Sequence, residues 1–310
     1  MKEEIDLTQG RSRKSKGPVA EPVPGAPSHL SWMEEDIENR FGFFKGGRYT
    51  DVNKVLSLII GLILTGLFFA LVVFVLAPRP SLAPFTAPLV RPGNTFFTGP
   101  CVFFAFWTLV ILFLKWKKLI FQSKALDLSA MPQQADFVLT EETAKTVLQR
   151  IHNLVDHPRH FVLFNRIERA LSNLSHLGGV TEVATIMKGQ AENDENQMAS
   201  SYTMMNGLVW AVPVIGFIGT VRGLSLAIGN FSQTLQGAGD LSAIKTNLQG
   251  VTGGLSTAFE TTFVALILAL IIQLSITFMQ QKEAAFLDEC NDYCHSNVIS
   301  KLRSILKKEG

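Results

Sequence analysis

The stretch GGLSTAFETTFVALILALIIQLSITF, Gly253 to Phe278, is long and apolar enough to cross a bilayer, yet it carries Glu260 among Thr257, Thr261 and Thr262. An isolated ionisable side chain in hydrocarbon costs on the order of 3 kcal/mol even on lenient insertion scales, so one kept there has a partner or a task. On a helical wheel Gly253, Thr257, Glu260, Thr261 and Val264 share one face, and Thr262 falls to its side. A carboxyl that can be neutral or charged, with hydroxyls one turn away, is suited to taking up and releasing a cation. Two structural readings stand beside that one. Glu260 can be hydrogen-bonded to a neighbouring helix, or it can snorkel outward from the end of its span. Arg222, also toward an outer helix end, offers it a simple ion pair.

The preceding apolar run, MMNGLVWAVPVIGFIGTVRGLSLAIGNF from Met204 to Phe231, has its own pattern. After Pro213, the residues Gly216, Gly219 or Thr220, Gly223 and Ala227 recur three or four apart and form one small-residue face. Such a face lets two helix backbones approach closely. Thr220 lies within it, where its hydroxyl can face a neighbouring helix or a channel, or bond the carbonyl one turn back.

These residues must be held by helices in a membrane. The 310 residues are 47% hydrophobic and 17% charged, against roughly 25% charged in soluble domains. Residues 1–30 are polar and rich in Pro, Gly and Ser, which predicts a disordered tail. No short apolar region stands near Met1, so no cleaved signal peptide is expected. In 31–51, Trp32, Ile37, Phe41 and Phe44 suit either a short amphipathic helix on the membrane surface or a segment packed on a cytoplasmic domain. Four spans are predicted at 52–77, 96–114, 204–231 and 253–279, joined by a Pro-rich loop at 78–95 and a polar loop at 232–252. Lys115, Lys117 and Lys118 with Trp116 form an interfacial stop after the second span. The stretch 115–203 reads as a helical cytoplasmic region; in it Phe161, Phe164, Ile167, Leu171 and Leu174 make an amphipathic stripe, and Pro158 marks a helix start. A C-terminal helix follows at 280–310. Lys and Arg crowd the N-terminal tail, the stretch after span two and the stretch after span four, which puts both termini in the cytoplasm and two loops outside.

Other function classes find little support. A net charge of +2 argues against nucleic acid. The cysteines are Cys101, Cys290 and Cys294, too few and too uneven for a disulfide framework. Cys290, Cys294 and His295 fall short of a metal ligand set, and reduced thiols are expected. No HExxH, P-loop, GxGxxG or Ser-His pattern occurs, so no enzyme and no cofactor is expected.

VPVIGFIGTVRGL from Val212 resembles the penultimate-helix motif of the MotA/TolQ/ExbB proton channel family, and GGLSTAFETTFVALILAL resembles its last helix. The resemblance covers about residues 185–285. It implies an all-α membrane fold assembling as a homopentamer whose last two helices line a pore. A dimer of a single-span ExbD/TolR/MotB-like partner with an intramembrane Asp would occupy that pore. Ion flow, of H+ or Na+, would then drive mechanical work at the bacterial cytoplasmic (inner) membrane. By motif match Thr220 and Thr262 are the pore threonines, with Thr261 competing for the place of Thr262, and Pro213 shapes its helix. The carboxylate of ExbB- and TolQ-like chains falls here on Thr257, and Glu260 lies one turn further along the same face. Four spans resemble MotA, while the motif wording resembles ExbB and TolQ. The alternative is a non-conducting membrane scaffold or sensor, with 119–203 as its interaction domain.

Overall fold

The computed structural model describes residues 29–36, 38, 47–128, 130–132, 137–172, 180–236 and 241–302. Nine α-helices follow one another among these residues: α1 (Trp32–Glu35), α2 (Lys54–Leu71), α3 (Ala83–Val90), α4 (Pro92–Ser123), α5 (Glu141–Leu154), α6 (Val162–Ser172), α7 (Val180–Ser201), α8 (Thr203–Gln236) and α9 (Leu241–Cys294). Short π-helical turns extend α2 over Val72–Leu76 and α9 over His295–Ile299. No strand occurs among the described residues; the extended contacts are two isolated bridges, Leu30 with Val155 and Leu139 with Leu302. The fold is all-helical.

Four stretches are long and apolar enough to cross a membrane: Lys54–Leu76, Gly93–Ser123, Val180–Gly229 and Leu248–Ile299. The last two run to 50 and 52 residues, where about 20 suffice for a bilayer. α9 alone has 54 residues, about 80 Å at 1.5 Å per residue, so it extends well beyond any hydrocarbon core.

The two connections expected as loops are largely helical. The Pro-rich segment forms a 3-10 turn at Pro80–Leu82 and then α3, while α4 begins at Pro92. Proline is tolerated in a first helical turn, where its missing N–H would be unpaired anyway, so Pro84 and Pro92 start helices here, while Pro88 sits inside α3. In the second connection α8 continues to Gln236 and α9 starts at Leu241, leaving only residues 237–240 outside the described set.

The largest apolar cluster among the described residues reaches from within the spans to beyond their ends. The stripe Phe161, Phe164, Ile167 and Leu171 is buried there against Val183, Met187, Cys290 and Val298; Leu174 lies outside the described residues. Pro158 opens a 3-10 turn, and α6 itself starts at Val162. Trp32 decides between the two readings of its segment. It is 2% exposed and packs on Phe121, His160 and Phe161 with ring centroids 5.6, 5.1 and 5.6 Å away, so it does not lie on a membrane surface. Ile37, Phe41 and Phe44 lie outside the described residues. Asp156 fastens α1 by accepting from Ser31 Oγ, Trp32 N and Met33 N at 2.9, 2.8 and 3.2 Å.

The lysines after span two divide by helical periodicity. Lys117 is exposed, whereas Lys115 and Lys118 point inward. Lys115 Nζ lies 3.0 Å from Glu283 of α9, and Lys118 Nζ 2.5 Å from Glu38. Tyr202, at the junction of α7 and α8, donates to the other oxygen of Glu283 at 2.7 Å. A buried pair of this kind is held only when each partner is satisfied, because removing one leaves an uncompensated charge. Lys115 therefore ties α4 to α9 where the spans end.

Candidate functional site

α8 and α9 pack backbone to backbone along the small-residue face that the spacing predicts. A methyl group placed on Gly223 would lie 2.6 Å from Gly254 O, and one on Gly254 would lie 2.8 Å from Gly223 O. Further along, a methyl on Gly219 would meet Thr261 Oγ1 at 2.6 Å, and one on Gly216 would meet Ala265 Cβ at 2.5 Å. No side chain larger than hydrogen fits at these steps without a shift, which is the physical reason for glycine there.

That close approach brings two hydroxyls together. Thr220 and Thr262 hydrogen-bond each other across the helix pair. Thr220 Oγ1 also donates to Ala258 O at 3.0 Å, and Thr262 Oγ1 to Gly216 O at 3.0 Å. Two hydroxyl protons serve these three contacts, so two form at a time and each proton can rotate between the neighbouring hydroxyl and its backbone carbonyl. Both residues remain half-buried, so the pair is neither sealed in the core nor fully open. Thr261, its rival for this place, is 1% exposed, bonds Thr257 O at 3.0 Å within its own helix, and packs on Gly219. Thr257 lies toward the start of α4 near Gly93. Pro213 sits inside α8 next to Val212, whose carbonyl receives the Cys101 thiol of α4 at 3.5 Å.

Glu260 belongs to a second cluster. Its Oε1 lies 2.9 Å from Arg91 Nη1 and accepts from Ser256 Oγ at 2.7 Å, while Oε2 accepts from Asn94 Nδ2 at 2.5 Å. The ion pair that Arg222 could offer is instead made with Arg91. Arg222 is exposed on α8, while Arg91 stands immediately before α4, beside the Glu260 face of α9. Glu260 thus faces α4 while Thr262 faces α8, and the structure does not bring the carboxylate to the threonine pair. Sequence reasoning missed Arg91, Asn94 and Ser256. Arg91 counts in the sequence only as one of few outside cations, and Asn94 only as a loop residue. The usable signal was that both sit at the same end of their span as Glu260 does of its own.

The Arg91 side chain is 49% exposed and that of Glu260 22%. At such exposure an ion pair contributes about 0–1 kcal/mol. The cluster fastens the start of α4 to the Glu260 turn of α9 more than it stabilises the whole fold. The same three donors leave Glu260 little freedom to exchange a cation.

Residues 157–291 match the model of the MotA/TolQ/ExbB proton channel family. The match begins earlier than the two motifs do, taking in α6, α7 and the Phe161–Leu171 stripe as well as the α8–α9 pair. No curated protein and no solved structure matches the chain.

Proposed function

We propose that this chain, a multi-pass membrane protein carrying the MotA/TolQ/ExbB proton channel segment, is the pore-forming subunit of a motor driven by an ion gradient. The observation that carries the reading is the Thr220–Thr262 pair, polar and half-buried within an otherwise apolar, close-packed helix pair. Five copies would surround a dimer of single-span ExbD/TolR/MotB-like partners in the inner membrane, with both termini of each copy in the cytoplasm. The partner's intramembrane carboxylate carries the proton. This subunit supplies the wall along which the proton passes, with Thr220 and Thr262 as exchangeable donors and acceptors. Glu260 anchors the outer end of the wall through Arg91, and Thr261 and Thr257 pack it. The role is transport and mechanical work, not catalysis.

The test is native mass spectrometry of the complex taken from its own membrane, followed by proton flux in vesicles. Five copies with two single-span partners are expected. Thr220→Val and Thr262→Val are expected to leave that stoichiometry intact while lowering flux by at least tenfold, about 1.4 kcal/mol in barrier height. A monomer or dimer stable across several detergents would overturn the reading in favour of a non-conducting scaffold. Unchanged flux in both variants would remove the threonines from the ion path.

A further inference from the structure

Where α2 and α8 begin, a cavity of about 500 Å³ is lined by Arg48, Tyr49, Asp51, Lys54, Ser200 and Thr203, among others. Arg48 and Lys54 are exposed, and neither has a carboxylate within ion-pair distance among the described residues. Thr50 and Ser201, which also line the cavity, accept from Lys115 Nζ at 3.3 and 3.0 Å, and the charge of Lys115 is matched by Glu283. The loop around the cavity is built rigidly. Tyr49 holds φ at 57°, in the left-handed region that a bulky residue adopts only where its surroundings impose it. Its hydroxyl accepts from Asn165 Nδ2 at 2.6 Å, and a methyl on Gly47 would lie 2.8 Å from Asp51 O.

We propose that this cavity seats the phosphodiester of a phospholipid headgroup. Position favours a lipid. Lys54 is the first residue of α2, and the apolar side chains that follow, Val55, Leu58 and Ile59, are 58%, 36% and 42% exposed, a track along which an acyl chain can lie. Charge favours a diester. Two cations and the Asp51 carboxylate leave one net positive charge, which a singly charged phosphodiester neutralises, whereas a doubly charged free phosphate or monoester costs more to take out of water and keeps one charge uncompensated. Size fits as well: the volume takes a headgroup and leaves the chains outside, in the bilayer. This reading depends on α2 and α8 crossing the membrane, and is independent of any ion path through the protein.

The test uses the full chain, delipidated in detergent and titrated with short-chain phosphatidylglycerol under native mass spectrometry. One lipid per subunit is expected. Arg48→Gln and Lys54→Gln should each weaken binding about fivefold, the worth of one basic side chain near an anionic headgroup. Millimolar inorganic phosphate should not displace the lipid. Asp51→Asn should act in the opposite direction and raise the affinity for doubly charged phosphatidic acid relative to phosphatidylglycerol. That variant adds no charge to bury and keeps the test open if the cation variants fail to fold. Lipid retained at the original level in both cation variants would mean nonspecific annular lipid and overturn the proposal. Displacement by inorganic phosphate would overturn it in favour of a soluble anion.

Discussion

Glu260 is held by Arg91, Asn94 and Ser256, from two helices and a loop, and each partner sits within 3 Å. Because Arg91 is half exposed, its attraction for Glu260 is screened by water and salt, whereas the Asn94 amide is buried and unscreened. A double-mutant cycle on Arg91→Ala and Glu260→Ala should therefore return a coupling of about 0.5–1 kcal/mol in thermal unfolding, falling as salt is raised. A coupling of zero at low salt would mean that the pair is not formed in the membrane. The outcome also bears on what a sequence can reveal. Glu260 stood out because a carboxylate in an apolar run has to be explained. Arg91 did not, because nothing in a Pro-rich connection marks which of its residues will fold back onto the last helix. The donor set depends on tertiary placement, and one chain of letters contains no record of it.

Among the elements, the α8–α9 pair was legible from spacing alone, since small residues three and four apart can mean little else in a membrane helix. Gly223→Ala should cost about 1–3 kcal/mol by forcing backbones apart, as overpacking does elsewhere. Gly229→Ala, in the same helix but with nothing within 4 Å of the added methyl, should cost nothing or slightly stabilise. Thermal unfolding in detergent separates the two, and equal shifts would contradict the close approach. The latch on α1 is a second element with a measurable signature. Burial of Asp156 by itself raises its pKa. The Trp32 and Met33 amides, the Ser31 hydroxyl and the His157 amide more than offset this, and the net shift is downward. A carboxylate with a depressed folded pKa stabilises above its unfolded pKa and loses that contribution as pH falls through the folded value. Protection of the Trp32 and Met33 amides, relative to their intrinsic exchange rates, should accordingly persist from neutral pH down through the ordinary carboxylate range and be lost only below it. In Asp156→Asn that protection should be weak throughout. This latch could not be foreseen, because Asp156 and Ser31 are 125 residues apart and neither belongs to a recognisable motif.

For the molecule as a whole, four apolar helices were evident from composition and a helix was expected after the fourth, but that it continues the span without a break was not. Hydropathy ends where polar residues begin, and it does not report whether the helix ends there too. α9 carries on to Cys294 and closes the largest apolar cluster with Phe286, Leu287, Cys290 and Cys294. All three cysteines are buried, at 1%, 0% and 3% exposure. In the folded protein maleimide should label none of them appreciably, and all three should react once the chain is unfolded in detergent with denaturant; mass spectrometry counts the adducts. Rapid labelling of Cys290 or Cys294 in the folded state would mean that the C-terminal end of α9 opens.

The unbroken course of α9 has a mechanical corollary. A straight rod about 80 Å long, pivoting at one tip, sweeps its other tip through about 7 Å for every 5° of tilt. Glu260 and its clasp stand about a third of the way along that rod, and the packing around Cys290 near its far end. Because the Cys290 end lies about 45 Å beyond the clasp, a 5° tilt about Glu260 shifts that end by about 4 Å, more than a close-packed interior absorbs without rearranging.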